Sequence, residues 1–146
     1  MGYRETPLYD VQQTAQEMYR MAVAWREDMA PYASYSLQEL FDFLKAIPFN
    51  ADPEEKEVLQ RPWYTVNRIG IGGDCDDKAI AAAAWASLNG YPFRFVATAK
   101  APKKELHHVH AEFMINGVWV IFDPTYAYNV LGRPLGVISK RLVLKP

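Results

Sequence analysis

Cysteine is nearly absent from this sequence, which has 146 residues and a single cysteine, Cys75. One cysteine cannot form a disulfide within the chain, so a fold held together by disulfides is excluded. The default state is a reduced thiol in the cytosol. Such a thiol is a potential nucleophile, because its deprotonated form attacks electrophilic carbon.

An excess of charge of one sign is also missing, since 16 basic residues stand against 17 acidic residues and the net charge is −1. This balance gives no reason to expect nucleic acid or an anionic membrane surface as a partner. The N-terminal sequence MGYRETPLYD has no apolar signal-peptide core, and no stretch is long and apolar enough to cross a bilayer. We therefore expect a cytoplasmic protein with neither a signal peptide nor a membrane partner.

The residues that are present are typical of a globular chain, with 50% hydrophobic and 14% aromatic residues. No linker, internal repeat or low-complexity tract interrupts them. We predict a single domain over 1–146, with a helical N-terminal part over 1–62, a core that carries the candidate chemistry over 63–125, and a C-terminal turn and strand over 126–146.

Two N-terminal helices are predicted. Thr6-Pro7 begins the first, whose apolar residues recur every three or four positions as far as Met29 before Pro31 ends the pattern. The second starts at a capping box, Ser36-Leu37-Gln38-Glu39, and stops at Pro48. The next stretch, as far as Trp63-Tyr64, is predicted to be mostly loop, in which large aromatic side chains wall a substrate groove or, more commonly, are buried.

The run Gly72-Gly73-Asp74-Cys75-Asp76-Asp77 joins a glycine-rich turn to an alanine-rich helix. It is not a phosphate loop, because the Gly-Lys-Ser/Thr ending is missing and its carboxylates would repel phosphate. Asp74 is a favourable N-cap, and Asp77 lies in the first turn, where acidic groups suit the helix dipole. We predict a central helix that ends at Asn89-Gly90 and packs against a sheet.

Four strands are predicted after this helix, over residues 93–99, 107–115, 118–123 and 137–144. Helices followed by an antiparallel meander indicate an α+β domain. Asn116-Gly117 is a strong hairpin signal, and a two-residue turn there places His110 opposite Asp123, with His108 as the diagonal neighbour on the same face. The carboxylate could hold either imidazole, so both histidines are candidate bases.

Cys75 supplies a candidate nucleophile, because a helix N-terminus and a nearby imidazolium both favour a thiolate. Asp74, Asp76 and Asp77 oppose this effect, although we expect backbone N–H groups to occupy Asp74 and Asp77. A cysteine in this position is more often a small buried hydrophobic residue. Nucleophile, base and orienting carboxylate together would form a triad, Cys75 with His108 or His110 and Asp123.

A metal site is the competing chemical interpretation, with nitrogen and oxygen ligands drawn from His107, His108, His110, Asp74, Asp76 and Asp77. His107 faces away from the other two histidines in a regular strand. Neither a Cys-x-x-Cys nor a His-Glu-x-x-His spacing is present. We therefore expect no metal and no other cofactor.

Three segments in order resemble the transglutaminase-like superfamily: Gly73-Asp74-Cys75-Asp76-Asp77-Lys78-Ala79, His108-Val109-His110-Ala111-Glu112-Phe113 and Trp119-Val120-Ile121-Phe122-Asp123-Pro124-Thr125. The resemblance implies a papain-like core in which Cys75 is the nucleophile, His108 the base and Asp123 the orienting carboxylate. His110 remains an alternative base, because it occupies the position of the family's usual aromatic residue. The backbone N–H of Cys75 and the Trp63 side chain are candidate oxyanion donors.

The same resemblance implies acyl transfer through a thioester on a peptide or a glutamine carboxamide, as in a protease, a deamidase or a transglutaminase. The segment from Asp52-Pro53 to Pro62 also resembles a small transglutaminase-like group common in bacteriophages and prophages. That resemblance implies a location in the cytoplasm of a bacterial host or in a virion, with other subunits as partners. The alternative function is a non-catalytic structural component of such an assembly.

Overall fold

The chain folds as helices followed by an antiparallel sheet. The computed structural model describes residues 11–48, 59–67, 74–134 and 136–146. The predicted helix start at Thr6-Pro7, most of the charged segment before Pro62 and the glycines preceding Asp74 lie outside these ranges. The elements are α1 (Val11–Ala24), the 3₁₀ helix η1 (Arg26–Tyr32), α2 (Leu37–Ala46), α3 (Pro62–Asn67), α4 (Cys75–Leu88), β1 (Phe93–Lys100), β2 (His108–Ile115), β3 (Val118–Phe122) and β4 (Ile138–Val143). The predicted α+β architecture is confirmed.

The first helical segment differs from its prediction, because α1 ends at Ala24 and the chain tightens into η1 with Pro31 inside it. Proline removes one i→i−4 hydrogen bond and clashes with the preceding turn of an α-helix. Tighter winding before Pro31 avoids α-helical geometry there. Met29 is nevertheless fully buried, so the apolar spacing identified a core residue although the helix type was wrong.

The second helix follows its prediction closely. The side chain of Ser36 accepts a hydrogen bond from the backbone of Glu39 at 3.1 Å, and the carboxylate of Glu39 accepts one from the backbone of Ser36 at 2.8 Å. Trp63 and Tyr64, by contrast, lie in the short helix α3 and not in a loop. Pro62 is the first residue of α3, where its missing N–H costs no intrahelical bond.

Helix α4 is the centre of the molecule. Every residue from Asp77 to Ala86 is buried, and the helix packs against α1, η1, α3 and β2. Alanine side chains allow neighbouring elements to approach closely from several directions, and Trp85 fills the larger space beside Phe113, with 6.1 Å between ring centroids. The central helix predicted from the alanine-rich run is confirmed.

The sheet has the strand order β3-β2-β1-β4, and each pair of adjacent strands is antiparallel. The hairpin turn has the predicted register, with Ile115 opposite Val118, because Asn116 and Gly117 both adopt positive φ. The last strand differs from a simple meander, since β4 pairs with β1 and not with β3. The long segment after β3 permits this crossing, and the buried Leu144 then bonds the carbonyl of Phe95 at 2.9 Å.

The two faces of the sheet differ in chemistry. Phe95, Ala111, Phe113 and Phe122 belong to the core beneath the helices. Strand alternation puts His108, His110 and Glu112 on the opposite face, together with Arg94 and Arg141, which register opposite Glu112 and Thr98. Among the described residues, no helix combines the length and apolarity that crossing a bilayer requires.

Candidate active site

The N-terminus of α4 is closed by a reciprocal carboxylate cap. The backbone N–H of Asp77 donates to the Asp74 side chain at 3.1 Å, and the backbone N–H of Asp74 donates to the Asp77 side chain at 3.2 Å. Asp77 also accepts a hydrogen bond from the backbone of Gln60 at 2.8 Å. Both carboxylates therefore have backbone donors that offset their charge beside Cys75.

Cys75 is the first residue of α4 and is partly exposed. Its thiol donates to the Asp76 carboxylate, with 3.7 Å between Sγ and Oδ1, and it interacts electrostatically with the imidazole of His108. The thiol thus has a carboxylate and an imidazole as its charged or polar neighbours.

His108, the first residue of β2, is bonded to Asp123, with 2.7 Å between Nε2 and Oδ2. Asp123 is buried and His108 is partly buried, with side chains 2% and 10% exposed. The remaining oxygen of Asp123 accepts hydrogen bonds from the hydroxyl of Thr125 at 2.6 Å and from its backbone at 3.3 Å. Asp123 is therefore fixed on both sides and can orient the imidazole.

The electrostatics of this pair favour the charged forms. Burial alone would lower the pKa of His108, but the hydrogen bond with Asp123 and the contact with Cys75 raise it from 6.5 to about 10. Burial would raise the pKa of Asp123, yet the bonds from His108 and Thr125 hold it below its ordinary value of 3.8. At neutral pH the pair is therefore an imidazolium and a carboxylate.

His110 has a different partner from the one that hairpin register alone suggested. The paired ladder ends at Ala111 and Phe122, so Asp123 lies past the end of β3 and bonds His108. His110 bonds the carboxylate of Glu112 at 2.9 Å and is buried. The structure thus brings Cys75, His108 and Asp123 together and engages His110 elsewhere.

Glu112 is the buried centre of an ionic cluster that the sequence did not reveal, with Arg141 on its exposed side. It accepts hydrogen bonds from Arg94 at 2.8 Å and from Arg141 at 2.8 Å, besides its bond with His110. Burial opposes ionisation, but these three partners lower the pKa of Glu112 to about 2. The pairing of β1 with β2, which puts Arg94 opposite Glu112, is the signal that could have predicted this cluster.

Lys78 is another residue whose position the sequence did not reveal, and its side chain is fully buried one turn after Cys75. Its ammonium donates to the carbonyls of Ile47 at 2.6 Å, Pro124 at 3.1 Å and Thr125 at 3.0 Å. Burial lowers the pKa of Lys78 to about 8, although the charge of Asp123 acts in the opposite direction. A lysine directly before the long alanine-rich run of α4 was the available signal.

A family model of the transglutaminase-like superfamily matches residues 12–124. The chain belongs to that superfamily. A crystal structure of a candidate cysteine protease from Cytophaga hutchinsonii superposes with a TM-score of 0.49 and 15% identity, over 93% of this chain and 44% of that one. This superfamily member therefore spans less than half the length of that chain. No curated protein matches it.

In the described part of this transglutaminase-like chain, the group of side chains that could hold a metal ion consists of His108, His110 and Asp123. Ligand atoms of His108, His110 and Asp123 lie within 4.8 Å of one another, so they could converge on one ion. His108 and Asp123 already bond each other, and His110 bonds Glu112. A bound ion would have to replace the His108–Asp123 hydrogen bond. His107 is exposed and bonds the carbonyl of Glu105 at 3.0 Å.

The aromatic residues before the central helix of this superfamily member are only partly buried. Trp63 is 46% exposed and packs edge to face against Tyr64, with 5.1 Å between ring centroids. Their helix, α3, packs against α4. A role for Trp63 as an oxyanion donor, or for both rings as a substrate wall, stays a prediction.

Proposed function

We propose that this chain is a cysteine-dependent acyl transferase or hydrolase that acts on a peptide or a glutamine carboxamide. Cys75 is the nucleophile, His108 the general base and acid, and Asp123 the orienting carboxylate. One observation carries the proposal: Nε2 of His108 lies 2.7 Å from the Asp123 carboxylate, in an imidazole whose pKa is raised by Asp123 and by Cys75 at the start of α4. Nucleophile, base and orienter in this order are the elements of a triad.

In the proposed first half-reaction, the thiolate sulfur forms a bond to the carbonyl carbon and an electron pair moves onto the oxygen. The carbon–nitrogen bond then breaks, and the leaving amine takes the proton of the His108 imidazolium. A thioester on Cys75 remains. Asp123 stabilises the imidazolium before the transfer and holds the ring in one orientation throughout.

In the second half-reaction, water or an amine attacks the thioester and gives a proton to His108. The carbon–sulfur bond breaks, which restores the thiolate and the imidazolium. Water as acceptor gives a protease or a deamidase, and an amine gives a transglutaminase. The backbone N–H of Cys75, at the start of α4, is the proposed oxyanion donor, and one such donor contributes ~3 kcal/mol.

The setting that we propose is a bacteriophage or prophage, in the host cytoplasm or a virion. The likeness of the segment before Pro62 to the phage group supports it. The alternative is a non-catalytic component of the same assembly. In a non-catalytic component, Cys75 would react like an unassisted thiol. The reactivity of Cys75 towards an alkylating reagent therefore distinguishes the enzyme from the structural component.

Alkylation of Cys75 by iodoacetamide tests the triad directly. We expect the rate to stay high well below neutral pH, because the His108 imidazolium favours the thiolate. His108→Ala should slow alkylation at about pH 6 by at least tenfold, since one charge contact of this kind contributes on the order of 1.4 kcal/mol or more. The measurement is the pseudo-first-order rate by mass spectrometry between about pH 5 and pH 9.

His107→Ala is the matched control, because it removes an exposed imidazole next to His108. It should leave the pH profile unchanged. A wild-type profile typical of an unassisted thiol would overturn the enzyme proposal and favour the structural one. Loss of the acid-pH reactivity in His110→Ala, with His108→Ala unaffected, would show that the base is assigned to the wrong histidine.

A further inference from the structure

Two tyrosines stack on each other in the turn that follows Asp123. The rings of Tyr126 and Tyr128 are parallel, with 5.3 Å between centroids and 4° between planes. Tyr126 is partly buried, whereas Tyr128 is 68% exposed. Exposed aromatic surface of this kind is costly in water and is a common feature of binding sites.

The turn that carries these rings is held at several points. The backbone N–H of Tyr126 donates to the buried Asn129 side chain at 2.7 Å, and the backbone of Asn129 donates to the carbonyl of Tyr126 at 3.0 Å. Just before the turn, Lys78 holds the carbonyls of Pro124 and Thr125. The stack is therefore fixed to α4, the helix that carries Cys75.

The stack also lies close to the proposed nucleophile. Lys78, one helical turn after Cys75, bonds the carbonyl next to Tyr126. Burial, followed by the charges of Cys75 and Tyr128, raises the pKa of Tyr126, with smaller contributions from Asp123 and Asp74. The phenol therefore lies within electrostatic range of the sulfur.

We propose that Tyr126 and Tyr128 form the substrate subsite beside Cys75 and that it takes an aromatic side chain of the acyl donor. Tyr126 would be the fixed base of the subsite and Tyr128 its exposed ring, against which the flat side chain lies. Aromatic pairs favour this geometry beyond simple burial of area. The inference rests on the proposed function, because it assumes that Cys75 attacks the acyl donor.

Two alkylating reagents that share a reactive group test the subsite without knowledge of the substrate. In both, the sulfur of Cys75 bonds to the methylene carbon as iodide leaves. One is iodoacetamide, and the other is N-(2-phenylethyl)iodoacetamide, which carries a phenyl ring. We expect the phenylethyl reagent to react faster than iodoacetamide by about fivefold after both rates are divided by those for glutathione.

Tyr128→Ala should bring this normalised ratio back to about one, and Tyr128→Phe, which keeps the ring, should retain it. Tyr91→Ala is the matched control, because Tyr91 is an exposed tyrosine stacked on Trp85 after the far end of α4. It should leave the ratio at the wild-type value. A wild-type ratio near one, or an unchanged ratio in Tyr128→Ala, would overturn the subsite.

Failure of the subsite can be distinguished from failure of the triad. Suppose that iodoacetamide alkylates Cys75 rapidly at acid pH in wild type but slowly in His108→Ala, and that the normalised rate ratio of the two reagents is near one. The triad would then be supported and the subsite refuted. If the rate of alkylation by iodoacetamide is the same in wild type and His108→Ala, the proposed function is refuted, whatever the ratio of the two reagents is.

Discussion

At the scale of single residues, Cys75 is exposed to two opposing influences. The His108 imidazolium and the start of α4 are positive neighbours of the sulfur, whereas the Asp76 carboxylate, 3.7 Å from it, is a negative one. Asp74 and Asp77 are engaged by backbone donors of the cap, which blunts their charge. Asp76 is thus the acidic neighbour in direct contact with the thiol.

Asp76→Asn should therefore make Cys75 more reactive. The substitution keeps the size of the side chain and removes its negative charge, which repels the thiolate. We expect the rate of alkylation by iodoacetamide at about pH 6 to rise by about three- to tenfold, typical of one partly exposed charge at this distance.

Asp42→Asn, which changes an exposed carboxylate on α2, is the charge-matched control and should leave the rate as in wild type. A slower reaction in Asp76→Asn would contradict the electrostatic argument. It would mean that Asp76 positions the thiol and that its position matters more than its charge.

At the scale of elements, Lys78 connects three parts of the fold. Its ammonium joins α4 to the carbonyl of Ile47 at the end of α2 and to the Pro124 and Thr125 carbonyls after β3. The same segment carries Asp123 and the tyrosine stack. One buried cation therefore fixes the separation between the helix that carries the nucleophile and the strand end that carries the carboxylate.

Lys78→Met should destabilise the protein. Methionine fills a similar volume but leaves three buried carbonyls without their shared donor, while the removal of a buried charge offsets part of the loss. We expect the free energy of unfolding to fall by about 2–4 kcal/mol, measured by urea denaturation. The exposed Lys140→Met is the control. Stability equal to or above wild type would show that desolvation of the ammonium costs more than its bonds contribute.

The elements that sequence predicted well are those with strong local signals. Residues close together in the chain determine three of these elements: the Ser36–Glu39 capping box, the Asp74 cap of α4 and the Asn116-Gly117 turn. Three features were missed: η1 continues past Pro31, α3 starts at Pro62, and β4 pairs with β1. The last of these depends on contacts between residues far apart in the chain. The spacing of residues within one segment does not specify which strand of the sheet that segment pairs with.

The same limit applies to the candidate site. Local register found the face that carries both histidines and Asp123, but β3 ends before Asp123, and the carboxylate bonds the diagonal neighbour His108 and not His110, which ideal pairing places directly opposite. The motif resemblance favoured His108, the histidine that bonds Asp123. The bond between Arg94 and Glu112 joins residues 18 positions apart, and the bond from Lys78 to the Thr125 carbonyl joins residues 47 positions apart. No short sequence pattern connects such residues.

At the scale of the whole molecule, the polar face of the sheet couples stability to pH. Glu112 is 1% exposed and ionised, with Arg94, Arg141 and His110 around it. Its pKa is about 2 in the folded protein, against 4.5 as its ordinary value. The stabilisation from this depressed pKa is complete above pH 4.5 and is lost as the pH falls through about 2.

Glu112→Gln should therefore reduce the loss of stability that the protein undergoes as the pH falls into the acid range. A pKa difference of this size contributes on the order of 3 kcal/mol, so wild type should lose about that much from this group between about pH 5 and pH 2, and the variant should lose correspondingly less. Urea denaturation across this range gives the free energy of unfolding at each pH.

The exposed Glu105→Gln is the control and should follow wild type. Asp123 contributes in the same direction in both proteins, so some acid sensitivity should remain in Glu112→Gln. Parallel curves for wild type and Glu112→Gln would mean that the cluster is as stable with a neutral side chain, and that the loss of stability at acid pH arises elsewhere.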